Sequence, residues 1–446
     1  MTDPLNAREA ADTAWIKESK PARETRNNRN GRDDAPPPEF DAFTPPSYGE
    51  EPGAHGTGAE IPVLEVEDAG NIDTEPIPPR EWVFGNRYCL GFVSGNIGDG
   101  GVGKTALAIL DGLSISSGRS LTGEHLFRSE RVLIVCLEDQ RKEIRRRIKA
   151  ALVHHDIDPS TVQGRLFFCA HKGEKIMVRN ANGQLAPGNL GPMIRAELTQ
   201  HNTKVLIVEP LIKSHSLDEN SNVDMDAVID AFVAMAEEEN VAIMLTQHTR
   251  KGLNVAGNPD IGRGATAVKN GARLVYTTVA MNDKEQALYG LNNEAAKSLI
   301  RVDSAKVNIC RPELAKWFKL VGVKIGNATE MCPNGDEIQT AEPWNPPNLF
   351  ANTVTETLNK ILDHIERGMD DGARYSGAAA ATKRAAWPIV QEYLPDKNEK
   401  QCRAIISTWI ENEVLVSREY DDPVRRSPAT GLFVNPAKRP GNETRF

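Results

Sequence analysis

An eight-residue run, Gly98-Asp99-Gly100-Gly101-Val102-Gly103-Lys104-Thr105, constrains this chain more than any other feature. It matches the phosphate-binding P-loop pattern, a glycine, four residues and then Gly-Lys-Thr, at every position. Glycines allow the backbone to curl so that successive N–H groups point at a phosphate. We therefore expect residues 98–105, together with Ala106, to bind a nucleotide, with Lys104 at the β- and γ-phosphates and Thr105 on Mg²⁺.

The flanking sequence agrees with this interpretation. Residues 88–93 are typical of a buried strand that enters the loop, and the apolar run from Thr105 predicts a helix that leaves it. The N-terminus of such a helix favours an anion because its first N–H groups and its dipole point outward. The alternative is a glycine-rich surface turn before an ordinary helix, which the predicted strand and helix disfavour. The sequence predicts an ATP-binding protein that needs Mg²⁺.

Composition indicates a soluble, cytoplasmic protein. The chain has 446 residues, 39% of them hydrophobic, and it lacks an apolar run long enough to span a membrane. Its N-terminus is polar, unlike a secretory signal. The six cysteines stand singly, without a C-x-x-C pair, so we expect neither zinc nor disulfides. The net charge of −9 does not exclude DNA, because screening over about 8–10 Å leaves local basic loops in control.

Shifts in composition divide the chain into four parts. Residues 1–75 are rich in proline and charge and poor in aliphatic side chains, so we expect disorder, with one candidate partner-binding helix at 5–16. Residues 76–324 alternate between strands and helices. Residues 325–350 are rich in Gly, Asn and Pro and are interpreted as a linker. Residues 351–446 form a smaller unit.

The alternating part predicts an α/β fold, a mostly parallel sheet with helices on both faces. Amphipathic helices are expected at 139–154 and 223–239, the second with an apolar stripe formed by Met225, Val228, Ile229, Phe232 and Ala236. The strand candidates are Leu90–Ser94, Val132–Leu137, Leu166–Ala170, Lys204–Val208, Val241–Thr246, Leu274–Val279 and Leu299–Val302.

The last unit has the pattern of a winged helix-turn-helix. A helix with Val354, Leu358, Ile361 and Ile365 on one face ends at Gly368. A second helix is expected at 377–394 and a third at 397–410, followed by a hairpin whose turn carries Arg418, Arg425 and Arg426. The unit is expected to contact either DNA or a protein.

Polar residues follow three predicted strands, where doubly wound sheets place their ligands. Glu138 follows the strand next to the P-loop strand and is our candidate for the base that accepts a proton from the attacking water. Asp139 beside it could instead cap the following helix. Glu209 occupies the position of the metal-holding Walker B acid, where Asp is usual. Gln247 and His248 end the third strand and are candidates for sensing the γ-phosphate.

These residues together resemble the RepA-type plasmid and phage replicative helicases, within the hexameric RecA/DnaB-like AAA-domain P-loop ATPases. The likeness spans roughly residues 77–320. The motifs that carry it are Arg80-Glu81-Trp82, the P-loop, Leu137-Glu138-Asp139, Val208-Glu209-Pro210, Gln247-His248-Thr249-Arg250-Lys251-Gly252, Arg263-Gly264-Ala265, Ala272-Arg273 and Ser304-Ala305-Lys306-Val307-Asn308.

The resemblance implies a homo-oligomeric ring, a hexamer by analogy, with a RecA-like core and ATP between subunits. By this resemblance Arg273 is the arginine finger that acts on the neighbour's ATP, and Lys306 is a second basic group that reaches across. Single-stranded DNA would thread through the ring along two loops. Lys213 lies on the first loop, and Arg250, Lys251 and Arg263 lie on the second.

Three functions remain open at this level. The resemblance favours a replicative DNA helicase. A non-unwinding ATPase that loads or remodels replication or recombination proteins would share the same motifs. A DNA-binding regulator that holds ATP without hydrolysing it would account for Glu209 in place of Asp.

Overall fold

A computed structural model describes residues 66–72, 74–249, 256–258, 265–351, 353–378 and 383–441. Residues up to 76 form one unit and residues from 77 onward form another. In the described part of the first unit there is one short 3-10 turn, Ala69–Asn71. The predicted disordered tail and its candidate helix lie almost entirely outside the described residues.

The second unit contains every strand and α-helix described below. Its first thirteen strands are β1 (Trp82–Phe84), β2 (Tyr88–Cys89), β3 (Val93–Gly98), β4 (Val132–Cys136), β5 (Leu166–Ala170), β6 (Met177–Arg179), β7 (Leu185–Pro187), β8 (Val205–Glu209), β9 (Ala242–His248), β10 (Leu274–Ala280), β11 (Leu299–Val307), β12 (Lys316–Lys324) and β13 (Glu337–Trp344). The helices among them are α1 (Lys104–Ser117), α2 (Arg141–His154), α3 (Leu190–His201), α4 (Asn222–Glu238), α5 (Ala265–Gly271), α6 (Asp283–Tyr289) and α7 (Asn293–Lys297).

One nine-stranded sheet organises this unit, in the order β13-β12-β11-β10-β3-β9-β8-β4-β5. The six strands from β10 to β5 are parallel, and the other three are antiparallel. β9 and β8 lie between the P-loop strand β3 and β4, so the prediction that Glu138 follows the strand next to the P-loop strand is wrong about the strand order. The neighbours of β3 are instead β9 and β10. The predicted α/β fold with a mostly parallel sheet is confirmed, and the P-loop follows one of its parallel strands, β3.

Helices cover both faces of the sheet, and each face has its own hydrophobic core. On one face α1 and α2 contribute Leu107 and Ile144, both buried. On the other face α3 and α4 contribute Ile194 and Phe232. The predicted apolar stripe of α4 is confirmed, because all five of its residues are buried. The parallel strands are nearly continuous runs of buried apolar residues, as strands covered on both faces must be.

The structure corrects the predicted linker at 325–350. Residues 337–344 form β13, which pairs along its whole length with β12, so the sheet continues beyond the predicted end of the domain at 324. This antiparallel extension packs over α2. The ring nitrogen Nε2 of His155 lies 2.9 Å from the carbonyl oxygen of Ala341, and Arg146 forms an ion pair with Asp336 at 2.9 Å. Composition misled the prediction because the turn before β13 is rich in Gly, Asn and Pro.

The C-terminal part contains α8 (Thr355–Arg367), α9 (Trp387–Tyr393), α10 (Glu399–Glu411) and the antiparallel hairpin β14 (Leu415–Asp422) and β15 (Ser427–Val434). The order of three helices and a hairpin is as predicted, although its interpretation as a winged helix stays a prediction. The second helix is shorter than expected, because Ser376 instead pairs with Ala385 in an isolated bridge. Val354 is also not part of the apolar face: it precedes α8 and is 64% exposed.

The third C-terminal helix begins against the main domain. Asn398 caps α10, and its side-chain amide donates to the carbonyl oxygen of Ala287 in α6 at 2.8 Å. The amide of Gln401, one turn later, lies close to Gly290. Within the described residues, no helix is both long and apolar enough to cross a membrane.

Candidate nucleotide site

The P-loop joins β3 to α1 and has the backbone that its glycines allow. Gly101 and Gly103 have φ angles of +81° and +84°, in the left-handed region that other residues rarely adopt. A Cβ on Gly103 would lie 2.7 Å from a methyl carbon of Leu320 in β12. The antiparallel extension therefore holds the loop from outside, and the position requires glycine for both conformation and space.

Lys104 begins α1, and its side chain folds back under the loop. The ammonium group donates to the carbonyl oxygens of Gly98 and Asp99 at 2.7 and 2.6 Å, and Nζ lies 3.2 Å from Nδ1 of His248. Burial lowers the pKa of Lys104 to about 8, although Glu209, Asp99 and Glu138 oppose this shift. A phosphate group at this position would supply the negative charge that a buried ammonium lacks.

Thr105 and Glu209 meet at the predicted metal position. The Thr105 hydroxyl donates to Oε1 of Glu209, the last residue of β8. Burial raises the pKa of Glu209 to about 7, and the Thr105 hydrogen bond works against this rise. A hydroxyl and a carboxylate are hard oxygen ligands, and Mg²⁺ is usually held by one or two protein ligands together with substrate phosphates. The pair therefore fits Mg²⁺, and the longer side chain of Glu209 reaches Thr105 directly.

Thr105 and Glu209 both lie on the wall of a cavity of about 220 Å³ at the carboxyl edge of the parallel strands. Gly101, Gly103, Lys104 and Ala106 line it on the P-loop side, and Glu138 and Asp139 line it from the end of β4. Glu138 is exposed to solvent there. Asp139 does not cap α2, whose N-cap residue is Gln140, but forms an ion pair with Arg147 at 3.3 Å.

The end of β9 is tied to the P-loop. The Thr249 hydroxyl donates to the Asp99 carboxylate, and the Thr249 amide donates to the carbonyl of Gly98 at 3.1 Å. His248 is half-buried on the cavity wall, and burial, followed by the charge of Lys104, lowers its pKa. Gln247 is buried beneath it, opposite Ile97 of β3. Direct contacts therefore connect the phosphate position with His248 and Thr249.

Two residues of this cavity with charged or amide side chains, Arg147 and Gln339, were not predicted from the sequence. Arg147 lies on α2 and carries ion pairs to Asp139 and Glu143. Gln339 lines the cavity from β13. Arg147 is one of three consecutive arginines on a surface helix, so nothing in the local pattern singles it out. Gln339 was missed because its segment was interpreted as a linker.

Arg273 and Lys306 are not at this cavity. In the register of β3 and β10, Thr278 lies beside Gly98 of the P-loop, whereas Leu274 pairs with Ser94 at the opposite end. Arg273 precedes Leu274 and is five residues from Thr278, so roughly 17 Å of extended chain separates it from the P-loop level. Lys306 lies beside it, opposite Val275, and its Nζ donates to the carbonyl oxygens of Lys269 and Ala272. Burial and the nearby positive charges of Arg273 and Lys269 lower the pKa of Lys306.

Of the four predicted DNA contacts, one lies in the described residues. Lys213 is exposed on a short 3-10 turn after β8, and the ammonium of Lys175 donates to its backbone carbonyl at 2.7 Å. Arg250, Lys251 and Arg263 lie outside the described residues.

A P-loop at the carboxyl edge of a parallel sheet, with a buried lysine and an adjacent Thr–Glu pair, defines a P-loop NTPase site. The family described as AAA domain matches residues 59–254, a stretch that includes the P-loop and the ends of β4, β8 and β9. This match supports the P-loop ATPase class. A solved structure of a KaiC-like protein from Pyrococcus horikoshii OT3 is also similar, with 16% identity, coverage of 58% of this chain and 91% of that chain, and a TM-score of 0.35.

Proposed function

We propose that this protein is an ATP-driven DNA motor that assembles as a ring, a hexamer by analogy, and serves as a replicative helicase of a plasmid, phage or mobile element. The observation that carries the proposal is the separation of two sets of residues. Lys104, Thr105, Glu138 and Glu209 gather at one cavity, whereas Arg273 and Lys306 lie at the other end of the sheet. A second copy is needed to bring these cations to a nucleotide.

Each residue then has a definite task. Lys104 and the P-loop N–H groups bind the phosphates. Thr105 and Glu209 would hold a magnesium ion, which would neutralise phosphate charge when bound. Glu138 orients the attacking water and accepts its proton. His248 contacts Lys104, and through this contact the presence of the γ-phosphate changes the loop after β9. Arg273 and Lys306 of the neighbouring copy stabilise the negative charge that develops as the bond to the γ-phosphate breaks.

The test of this function compares three activities of the full chain. We expect ATP turnover per protomer to rise with protein concentration, to increase with single-stranded DNA, and to drive the opening of a forked duplex. Lys104→Ala is the control, in which ATP turnover should fall by about 10²–10³. Turnover stimulated by DNA without duplex opening would instead indicate an ATPase that loads or remodels proteins. Tight ATP binding with almost no turnover, revived by Glu209→Asp, would indicate a nucleotide-gated regulator.

A second test concerns the path of the DNA. We propose that Lys213 and the loop with Arg250, Lys251 and Arg263 contact phosphates, so binding should depend strongly on salt. Arg250→Ala with Lys251→Ala should lower the slope of log affinity against log salt by about 1.4 for a single strand. The matched control is Arg418→Ala with Arg425→Ala, two exposed arginines of the C-terminal hairpin. If only the control pair changes the slope, the C-terminal unit is the DNA contact and the loop is not.

A further inference from the structure

The exposed face of α2 carries a stripe of positive charge that the nucleotide site does not use. Arg141, Lys142, Arg145 and Lys149 are all exposed, and within the described ranges none of them has a carboxylate partner. At 100° per residue these four positions fall within about 100° of the helix circumference, along roughly 12 Å of its axis. We call this set the basic stripe. Glu143, the one acidic residue of the helix, is already paired with Arg146 and Arg147.

The exposed face of α4, on the other side of the sheet, carries the opposite charge. The helix contains no basic residue. Asp226, Asp230 and Glu237 are exposed and fall within about 40° of the circumference along roughly 16 Å. In the part of the chain that the structure describes, none of the three is ion-paired, whereas Asp224 and Glu238 are. We call these three residues the acidic stripe. The two stripes are similar in length and opposite in sign.

The stripes do not stabilise their own helices. Arg141 and Lys142 stand in the first turn of α2, where the helix dipole disfavours positive charge. Glu237 stands in the last turn of α4, where the dipole disfavours negative charge, and that turn has no basic residue. Neither arrangement helps the isolated chain. Both would gain if an opposite charge from outside covered them.

The position of each stripe relates it to one half of the reaction site. The basic stripe starts at Arg141, two residues after Asp139 on the cavity wall. The acidic stripe is on α4, which packs along α5, with Ile229 against Gly271. Arg273 follows two residues after Gly271. The acidic stripe and Arg273 thus belong to neighbouring elements of one copy, as the basic stripe and the cavity do.

We propose that the basic stripe of one copy docks on the acidic stripe of the next copy in the ring, and that this contact aligns Arg273 with the neighbour's nucleotide. The inference rests on the proposed function, because it names the contact that completes the shared site. Such an interface is heterologous: each copy uses one surface toward one neighbour and a different surface toward the other. Complementary charges at such contacts fix register and suppress wrong pairings.

Two charge-reversed variants test the pairing. The first carries Arg145→Glu and Lys149→Glu, and the second carries Asp226→Lys and Asp230→Lys. In either variant alone, the two substituted residues face charges of their own sign at every interface. We expect each to remain dissociated with ATP turnover at least tenfold below the wild type. In an equimolar mixture the two variants can alternate around the ring, so that reversed residues face only reversed residues. Opposite charges then meet at every interface, and assembly and turnover should return together. Mass by light scattering and ATPase rate are the measurements.

A matched control separates this result from a general charge effect. Lys172→Glu with Lys324→Glu changes the net charge by the same amount at two exposed lysines outside both stripes. We expect this control to assemble and hydrolyse ATP like the wild type. Raising the salt concentration should weaken wild-type assembly, because it screens the stripes.

Each outcome has one meaning. Normal assembly of both reversed variants, or failure of the mixture to recover, overturns the pairing. Normal assembly of the first variant with lost affinity for a single-stranded oligonucleotide makes the basic stripe a nucleic-acid site and also overturns it. A wild type that hydrolyses ATP as a monomer contradicts the proposed function itself. If a reversed variant does not fold, Arg145→Ala with Lys149→Ala and Asp226→Asn with Asp230→Asn replace them. Unchanged low-salt assembly of these neutral variants again overturns the pairing.

Discussion

The two ends of the parallel sheet differ in what their charged residues contact. At the carboxyl end, Lys104 and Glu209 are both buried and interact with the P-loop and with Thr105. At the amino end, Arg273 is exposed, and the described hydrogen bonds of Lys306 go to backbone carbonyls. The first region is a pocket built within one chain. The second is a set of cations at a surface, which can reach a phosphate only on another molecule.

Removing the exposed arginine should have the largest effect. Arg273→Ala should lower the ATPase rate by about 10³–10⁵, the value typical of an arginine finger supplied in trans. Binding of an ATP analogue should stay within about twofold, because the P-loop is untouched. Arg311→Ala, at another exposed arginine, is the control and should leave the rate unchanged. A loss of nucleotide binding in Arg273→Ala would show that the two ends are not separable.

Removing the buried lysine should impair the nucleotide pocket at the carboxyl end of the sheet. Lys104→Ala should reduce the rate by about 10²–10³, as the loss of one preorganised electrostatic contact commonly does. In contrast to Arg273→Ala, it should also weaken the binding of the ATP analogue. Calorimetric titration alongside the rate assay checks both. Full turnover in this variant would contradict the assignment of the P-loop.

A pH profile of magnesium binding tests the Thr105–Glu209 pair. Burial raises the pKa of Glu209 to about 7, so this carboxyl is protonated below that pH and must lose its proton before it can bind a cation. The magnesium concentration for half-maximal turnover should therefore rise as pH falls through 7, by up to about tenfold per pH unit. Glu209→Gln should remove this dependence and most of the activity. A flat profile from pH 6 to pH 8 in the wild type would exclude Glu209 as a ligand.

Substitutions that disturb the packing of the P-loop against β12 should have the smallest effect, and this effect should be on folding stability. In Gly103→Ala the new Cβ would clash with Leu320, and the alanine would have to adopt a positive φ. We therefore expect a loss of about 2–3 kcal/mol of folding free energy. Gly101→Ala has the same φ strain but no atom within 4 Å of the new Cβ, and should lose about 1 kcal/mol. Denaturant unfolding of both variants measures the difference. Equal losses would mean that β12 does not support the loop.

The sequence predicted the parallel core and its strand ends well, for a physical reason. Buried parallel strands are continuous apolar runs, and the polar residues that end them, such as Glu138, Glu209 and His248, stand out by contrast. The P-loop pattern then fixed which strand end holds the phosphates. The direct Thr105–Glu209 contact could not be predicted, because it depends on the reach of one side chain.

The sequence failed where contacts are distant along the chain. Gln339 reaches the cavity from β13, and only the fold of the antiparallel extension brings it there. The placement of Arg273 away from its own P-loop required the register of β10 on β3. The proposed pairing of the two stripes could not be predicted either, because a charged helix face in a single sequence is equally consistent with exposure to solvent.

The most direct test of a nucleotide site shared between two copies is an equimolar mixture of Lys104→Ala and Arg273→Ala proteins. One variant keeps an intact P-loop and the other keeps the arginine, so a competent site forms only where the two meet in the correct order. With random assembly, about a quarter of the interfaces satisfy this condition. We expect the mixture to regain about a quarter of the wild-type ATPase rate. A mixture as inactive as its two components would contradict the shared site.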